Sequence, residues 1–222
     1  MSDELLDFIR RSIAANEEKA QQLLARKKQE KALKLLSQSG LGKRFQQRTF
    51  TNFIAGDKYQ DALRQARNFV ADFPSTKGLL FSGPVGVGKT HMAAAIANEL
   101  ISRLYVVIFG SSADIISRIK QTYGNSQESE LGVIEALTNV DLLVIDDLGK
   151  EKASDNTSTV LYQIINRLYE DERPLVVTTN YTSDVLAKRL GERGEAIVSR
   201  LTEMCRPVIM QGEDWRLKGK ED

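Results

Sequence analysis

The sequence predicts an α/β fold: a five-stranded parallel sheet sandwiched by helices and preceded by an N-terminal helical arm. Three observations predict it. Five short apolar runs alternate with helical stretches, as in sheets buried on both faces. A glycine-spaced segment joins the first run to the helix after it. From Ser2 to Gln38 there is neither Gly nor Pro. The 222 residues allow one full-sized domain plus a small appendage, and 41% hydrophobic against 27% charged residues is enough apolar content for a real core.

The first element is the arm. Residues 2 to 38 are built largely from Ala, Leu, Glu, Lys, Gln and Arg, the strongest helix formers. Leu5, Ile9 and Ile13 share one face at i, i+4 and i+8, and Leu23, Leu24, Leu33, Leu35 and Leu36 form a second cluster. So thin a stripe leaves two destinations open, the chain's own domain or a partner. Ser39, Gly40 and Gly42 break the helix, which divides the chain into an arm of residues 1–44 and a domain of residues 45–222.

The strands follow at Gly78–Ser82 (GLLFS), Leu104–Phe109 (LYVVIF), Leu142–Asp146 (LLVID), Leu175–Thr179 (LVVTT) and Arg206–Met210 (RPVIM). Charge separates the same two parts. Residues 1 to 48 carry 11 Lys and Arg against 6 Asp and Glu, or +5, whereas residues 49 to 222 carry 20 against 24, or −4. Any nucleic-acid contact must then be a local patch. Cys205 has no partner for an internal disulfide, and with His91 alone beside it there is no zinc ligand set. No run approaches the ~20 apolar residues of a membrane span, and the N-terminus has no signal-peptide pattern. Both point to the cytoplasm.

Chemistry enters at Gly83-Pro84-Val85-Gly86-Val87-Gly88-Lys89-Thr90, a full GxxxxGK[ST] match between strand and helix. Glycines let backbone N–H groups curl around phosphate oxygens and the helix N-terminus adds positive potential. Lys89 reaches the β and γ phosphates, and Thr90 ligates Mg²⁺. His91 continues this nucleotide-binding set. A chance match in a chain of this length has a probability on the order of one in a hundred. Asp146 and Asp147 end the third strand; after such a loop the first carboxylate serves Mg²⁺ and the second polarises the attacking water. Asn180, ending the fourth strand, is placed to orient the same water, although Asn after a strand is commonly a turn residue.

In this order the three signals resemble Walker A, Walker B and sensor 1 of the AAA+ P-loop NTPases. The flanking segments RTFTNF (Arg48–Phe53), LGER (Leu190–Arg193), SRL (Ser199–Leu201) and WRLKGKE (Trp215–Glu221) narrow the likeness. Together they resemble the bacterial replicative helicase loaders of the DnaC and DnaI type, within the IstB-like AAA+ ATPases, over residues 45 to 222. The resemblance implies ATP and Mg²⁺ as cofactors, Asp146 at the metal, Asp147 as catalytic base and little or no C-terminal lid. It makes Arg200, or else Arg193, the finger that reaches a neighbouring protomer's ATP, and Arg216 a sensor 2 arginine. For each arginine a surface salt bridge is the plain alternative. Asp-Asp stands where many AAA+ enzymes carry Asp-Glu, which implies a slow ATPase.

The same resemblance places a helix lining single-stranded DNA between Ser111 and Glu130, with Arg118, Lys120 and Tyr123 as a basic pair and a stacking ring. Lys150, Lys152 and Ser154 extend that surface. An ordinary amphipathic helix with a polar loop fits these residues as well. The implied partners are a replicative DnaB-type helicase hexamer gripped by the N-terminal helix, single-stranded DNA, and further copies of the chain in an ATP-dependent spiral, with no membrane. An IstB-type helper of a DNA transposase is the alternative.

Overall fold

In the computed structural model, residues 3–35, 42–54, 56–123, 128–151 and 154–215 are described. Helix α1 (Asp3–Leu35) is followed by the short α2 (Lys43–Gln46) and by α3 (Gln60–Ala71). The alternating unit then runs β1 (Gly78–Ser82), α4 (Lys89–Ser102), β2 (Val107–Ser111), α5 (Ser112–Lys120), α6 (Glu130–Thr138), β3 (Leu142–Leu148) and α7 (Asp155–Glu170). It closes with β4 (Leu175–Thr179), α8 (Ser183–Leu190), α9 (Gly194–Met204) and β5 (Cys205–Ile209). All pairings are parallel, in the order β2-β3-β4-β1-β5.

Strand alternation divides the core. Val107, Phe109, Leu142, Val144, Val176, Leu79 and Phe81 face α3 and α4, whereas Ile108, Leu143, Ile145, Leu175 and Val177 face the layer of α5 to α9. At roughly 1.5–3 kcal/mol for each large side chain buried, the two-sided strands are the main source of stability. The order also creates the cleft. From β1 the chain crosses past β4 and β3 to reach β2, whereas from β4 it crosses β1 to reach β5. The carboxyl ends of β1 and β4 therefore flank a switch point, where ligands of open α/β sheets bind.

The second strand begins later than the apolar run suggested. Leu104 has φ 66° and is spent on stopping α4: its N–H donates to Ile101 O at 2.9 Å and that of Tyr105 to Leu100 O at 3.0 Å. This is a Schellman stop with leucine where glycine is usual.

Helix α1 touches α6 and β2, and Ala25 packs on the core. Ile13, Leu23 and Leu24 are 52%, 55% and 60% exposed. The arm thus meets its own domain over part of its length and presents Ile13, Leu23 and Leu24 to solvent. The side chains of Leu5, Ile9, Leu33 and Leu35, together with Leu36, Ser39 and Gly40, lie outside the described residues. Among those described, no helix is long and apolar enough to cross a membrane.

Candidate nucleotide-binding site

The loop after β1 is shaped by what its glycines permit. Gly83 has φ 148°, and a Cβ there would stand 1.9 Å from Met210 O, so β5 can approach β1 only past a glycine. Gly88 caps α4 with φ 97° and no side-chain hydrogen bond, while Phe53 packs where its Cβ would be. The first N–H groups of α4 therefore open into the cleft without a side-chain cap, an arrangement suited to phosphate oxygens. Lys89 is buried at 5% exposure, and its Nζ donates to Gly83 O at 2.8 Å and Pro84 O at 2.6 Å. The loop thus holds its own lysine at the floor of the cleft.

The two carboxylates meet this loop from β3. Thr90 Oγ1 donates to Asp146 Oδ1 at 3.0 Å, and Thr178 Oγ1, on β4, donates to the same oxygen at 2.5 Å. Pairing of β3 with β4 runs regularly to Ile145 opposite Val177 and resumes at Leu148 opposite Thr179, so Asp146 and Asp147 together oppose Thr178 alone. This is a β-bulge. Asp147 adopts φ 58°, its N–H donates to Thr178 Oγ1 at 2.9 Å, and its carboxylate pairs with Lys150 Nζ at 2.6 Å. The second acid of the pair is thereby turned by a left-handed kink into the cleft.

Lys89, Thr90, His91, Asp146, Asp147, Lys150 and Asn180 line one cavity of about 290 Å³, with Val85, Gly86 and Gly88. Phe45, Arg48 and Trp215 complete it. The expected site set did not include these three. They come from distant segments whose only local sign was an aromatic residue or two beside an arginine. Asn98 holds the first wall by donating to Phe45 O and Arg48 O, both at 2.8 Å. His91 Nε2 lies 2.9 Å from Thr49 O, and its ring meets Phe53 edge-on. Burial, with Arg48 adding to it, holds His91 below the usual imidazole range against the opposing Thr49 bond, so it is a neutral wall residue.

The donor set fits Mg²⁺ held jointly with a nucleotide. Mg²⁺ commonly takes only one or two protein oxygens and completes its shell with phosphate and water. Thr90 and Asp146 supply a hydroxyl and a carboxylate in contact. Among the described residues no cluster of three or more His, Cys, Asp or Glu side chains offers a self-sufficient metal site.

Burial pushes the Asp146 carboxyl above its usual range and the Asp147 charge adds to this, while the Thr178 and Thr90 hydroxyls oppose it. A carboxyl whose value is raised on folding destabilises the fold when ionised, and stability returns as pH falls through that raised value. Asp146→Asn keeps the acceptor oxygen without the charge. It should stabilise the nucleotide-free chain by about 1 kcal/mol and abolish the further stabilisation by Mg²⁺ with nucleotide. Thermal melts of both chains, with and without Mg²⁺ and ADP, check this.

The other expected site residues lie elsewhere. Arg200 donates to Asn166 Oδ1 at 2.7 Å and to the Tyr162 hydroxyl at 2.8 Å, and lies over the Tyr162 ring. Arg193 sits over the same ring and contacts Thr159. Both belong to the α7 and α9 surface, outside the cleft of their own chain. Arg118 pairs with Glu128, Tyr123 donates to Asn156 at 3.1 Å, and Lys120 is exposed. Ser154 caps α7 by accepting from Thr157 N at 3.2 Å. Lys152 and Arg216 lie outside the described residues.

Comparison with known proteins follows the same lines. The family model for the IstB-like ATP binding protein matches residues 13–222. The chain is 36% identical over 174 residues to the replicative helicase loader DnaC of Escherichia coli K12, covering 76% of this chain and 71% of that one. It is 31% identical over 208 residues to the uncharacterized protein YdaV of the same strain, covering 92% and 82%. A crystal structure of the DnaC helicase loader superposes with a TM-score of 0.69 at 30% identity, covering 76% of this chain and 99% of that chain. With its parallel sheet, its glycine-rich loop and its paired aspartates, the chain belongs to the IstB-like ATP-binding family of AAA+ proteins, alongside the DnaC helicase loaders.

Proposed function

We propose that this chain is an ATP-dependent loader of a replicative helicase, in which ATP binding and slow hydrolysis switch the loader between gripping and releasing states. The observation that carries this is the convergence of the Gly83–Thr90 loop, the Thr90–Asp146 contact and the kinked Asp147 in one cleft, on a chain 36% identical to a helicase loader. Lys89 and the loop amides bind the triphosphate, Thr90 and Asp146 share Mg²⁺, Asp147 takes the proton of the attacking water and Asn180 orients it. When bound, Mg²⁺ neutralises charge on the phosphates.

Residues 45–222 form the ATPase domain, and residues 1–44 form an arm that docks on the helicase hexamer. The exposed Ile13, Leu23 and Leu24 suit a groove on a partner. In an assembled spiral Arg200, already outside its own cleft, reaches the next copy's nucleotide, and Arg193 borders the same surface. Single-stranded DNA runs along Lys120, Tyr123 and Lys150, with Arg118, Lys152 and Ser154 near its path. The Glu128 partner of Arg118 and the small net charge of the core make that contact weak in one copy and additive across several. Arg216 reads the nucleotide from the C-terminal segment.

The test is capture of the replicative helicase hexamer by the full chain with ATP, against a chain lacking residues 1 to 40. We expect capture only with the arm. Capture that survives its deletion removes the arm from the interface, and no capture by either chain overturns the loader assignment. The family match also supports a second reading, an ATPase helper of a DNA transposase. That protein would bind duplex DNA with its transposase and ignore the helicase.

A further inference from the structure

Thr178 combines three features that the site's expected roles leave unused. It is fully buried at 0% exposure, one residue before the carboxyl end of β4. It is the single residue opposite the two-residue bulge of β3, so its hydroxyl stands where a regular ladder would be interrupted. That hydroxyl is used in both directions, accepting from Asp147 N at 2.9 Å and donating to Asp146 Oδ1 at 2.5 Å. One oxygen therefore ties together the backbone of one aspartate and the carboxylate of the other.

The kink at Asp147 needs such a tie. Its φ of 58° is one that side chains other than glycine adopt reluctantly, with Asp and Asn the most tolerant. On the carbonyl side the same residue is held, its O accepting from Ser112 Oγ at 3.2 Å and from Lys150 N at 3.2 Å. On the amide side Thr178 holds it. Without the hydroxyl, the part-buried Asp147 N–H loses its acceptor and the bulge has reason to relax towards regular pairing. The Asp147 carboxylate would then swing away from the cleft. Thr178 also stands two residues before Asn180, which follows the end of β4 and lines the same cleft as Asp147.

We propose that Thr178 is a positioning residue for ATP hydrolysis: its hydroxyl locks the β-bulge that aims the Asp147 carboxylate, an assignment that rests on this cleft being an ATPase site. Fully buried, it acts through the direction of Asp147 and the seat of Asp146.

The test compares the full-length wild type with Thr178→Val, which keeps the shape and removes the hydroxyl, and with Thr178→Ser, which keeps the hydroxyl. Two readouts are needed. In the nucleotide-free chain, exchange of the Asp147 amide should quicken at least about tenfold in Thr178→Val and stay near wild type in Thr178→Ser. ATP turnover should fall about 10- to 100-fold in Thr178→Val with ADP affinity changed far less, and Thr178→Ser should restore it. If Thr178→Val keeps wild-type turnover or wild-type exchange at Asp147, the assignment is wrong. Equal loss in a folded Thr178→Ser overturns it too, and does so even where Thr178→Val fails to fold. A wild-type chain without ATP turnover overturns the ATPase reading and this assignment together, whereas turnover shared by wild type and Thr178→Val overturns this assignment alone.

Discussion

Lys89→Ala is expected to lose nucleotide binding, with affinity for ADP and ATP falling about 100-fold or more, because a buried ammonium facing phosphate oxygens makes charge-assisted contacts of a few kcal/mol. The fold should survive. In the nucleotide-free chain Lys89 Nζ donates to two main-chain oxygens of its own loop, Gly83 O and Pro84 O, and Lys89 lines an open cleft where water can replace it. The melting temperature should therefore move by no more than about 1 kcal/mol warrants, since an exchanged neutral hydrogen bond contributes little net. Trp215 supplies the measurement. It is the sole tryptophan of the chain and it lines this cleft, so its fluorescence should respond to nucleotide in the wild type and not in the variant. Lys89→Arg should not rescue binding, because a longer planar guanidinium cannot occupy the loop's small concave floor. A Lys89→Ala chain that still binds ATP at wild-type affinity would mean that the loop is only a structural turn.

The parts of the molecule that could be read in advance are those in which local chemistry and global position agree. GLLFS and LVVTT are continuous apolar runs, and they are β1 and β4 to the residue because both are central strands with two buried faces. The LYVVIF run misled at its start because Leu104 looks like a strand residue and serves as a helix stop. The paired aspartates were visible as letters but their geometry was not. Nothing in LLVIDDLG marks a bulge, since the bulge exists only in the register against Thr178 on another strand. Thr178 itself reads as an ordinary β-branched core residue. Phe45 and Arg48 were hidden for a related reason: they reach the cleft only through the hold of Asn98 on the main chain of their segment. Motif chemistry was legible even across three strand ends, whereas contacts set by register or by a distant main-chain hold were not.

Asp147→Asn should separate binding from hydrolysis. Asparagine has the shape of aspartate, tolerates the left-handed conformation as readily, and keeps the N–H that donates to Thr178, so the bulge should persist. The lost pair with Lys150 joins side chains 30% and 46% exposed, and such pairs contribute little to stability. The carboxylate's capacity to accept a proton from water is what the substitution removes. Turnover should drop about 10²- to 10⁴-fold while ATP and ADP affinities stay within about threefold of wild type. Asp147→Gly sharpens the comparison. Glycine takes φ 58° without strain, so this variant should be at least as stable as the wild type and equally inactive. If both variants fold, bind ATP and fail to hydrolyse it, backbone geometry and proton transfer have been separated at one position. If Asp147→Asn turns over ATP at the wild-type rate, the base lies elsewhere in the cleft. With turnover blocked and binding intact, a loader should also remain on its helicase instead of leaving. Release of the captured hexamer, followed over time with ATP present, should then slow in step with hydrolysis in Asp147→Asn, because the proposed function has hydrolysis drive departure.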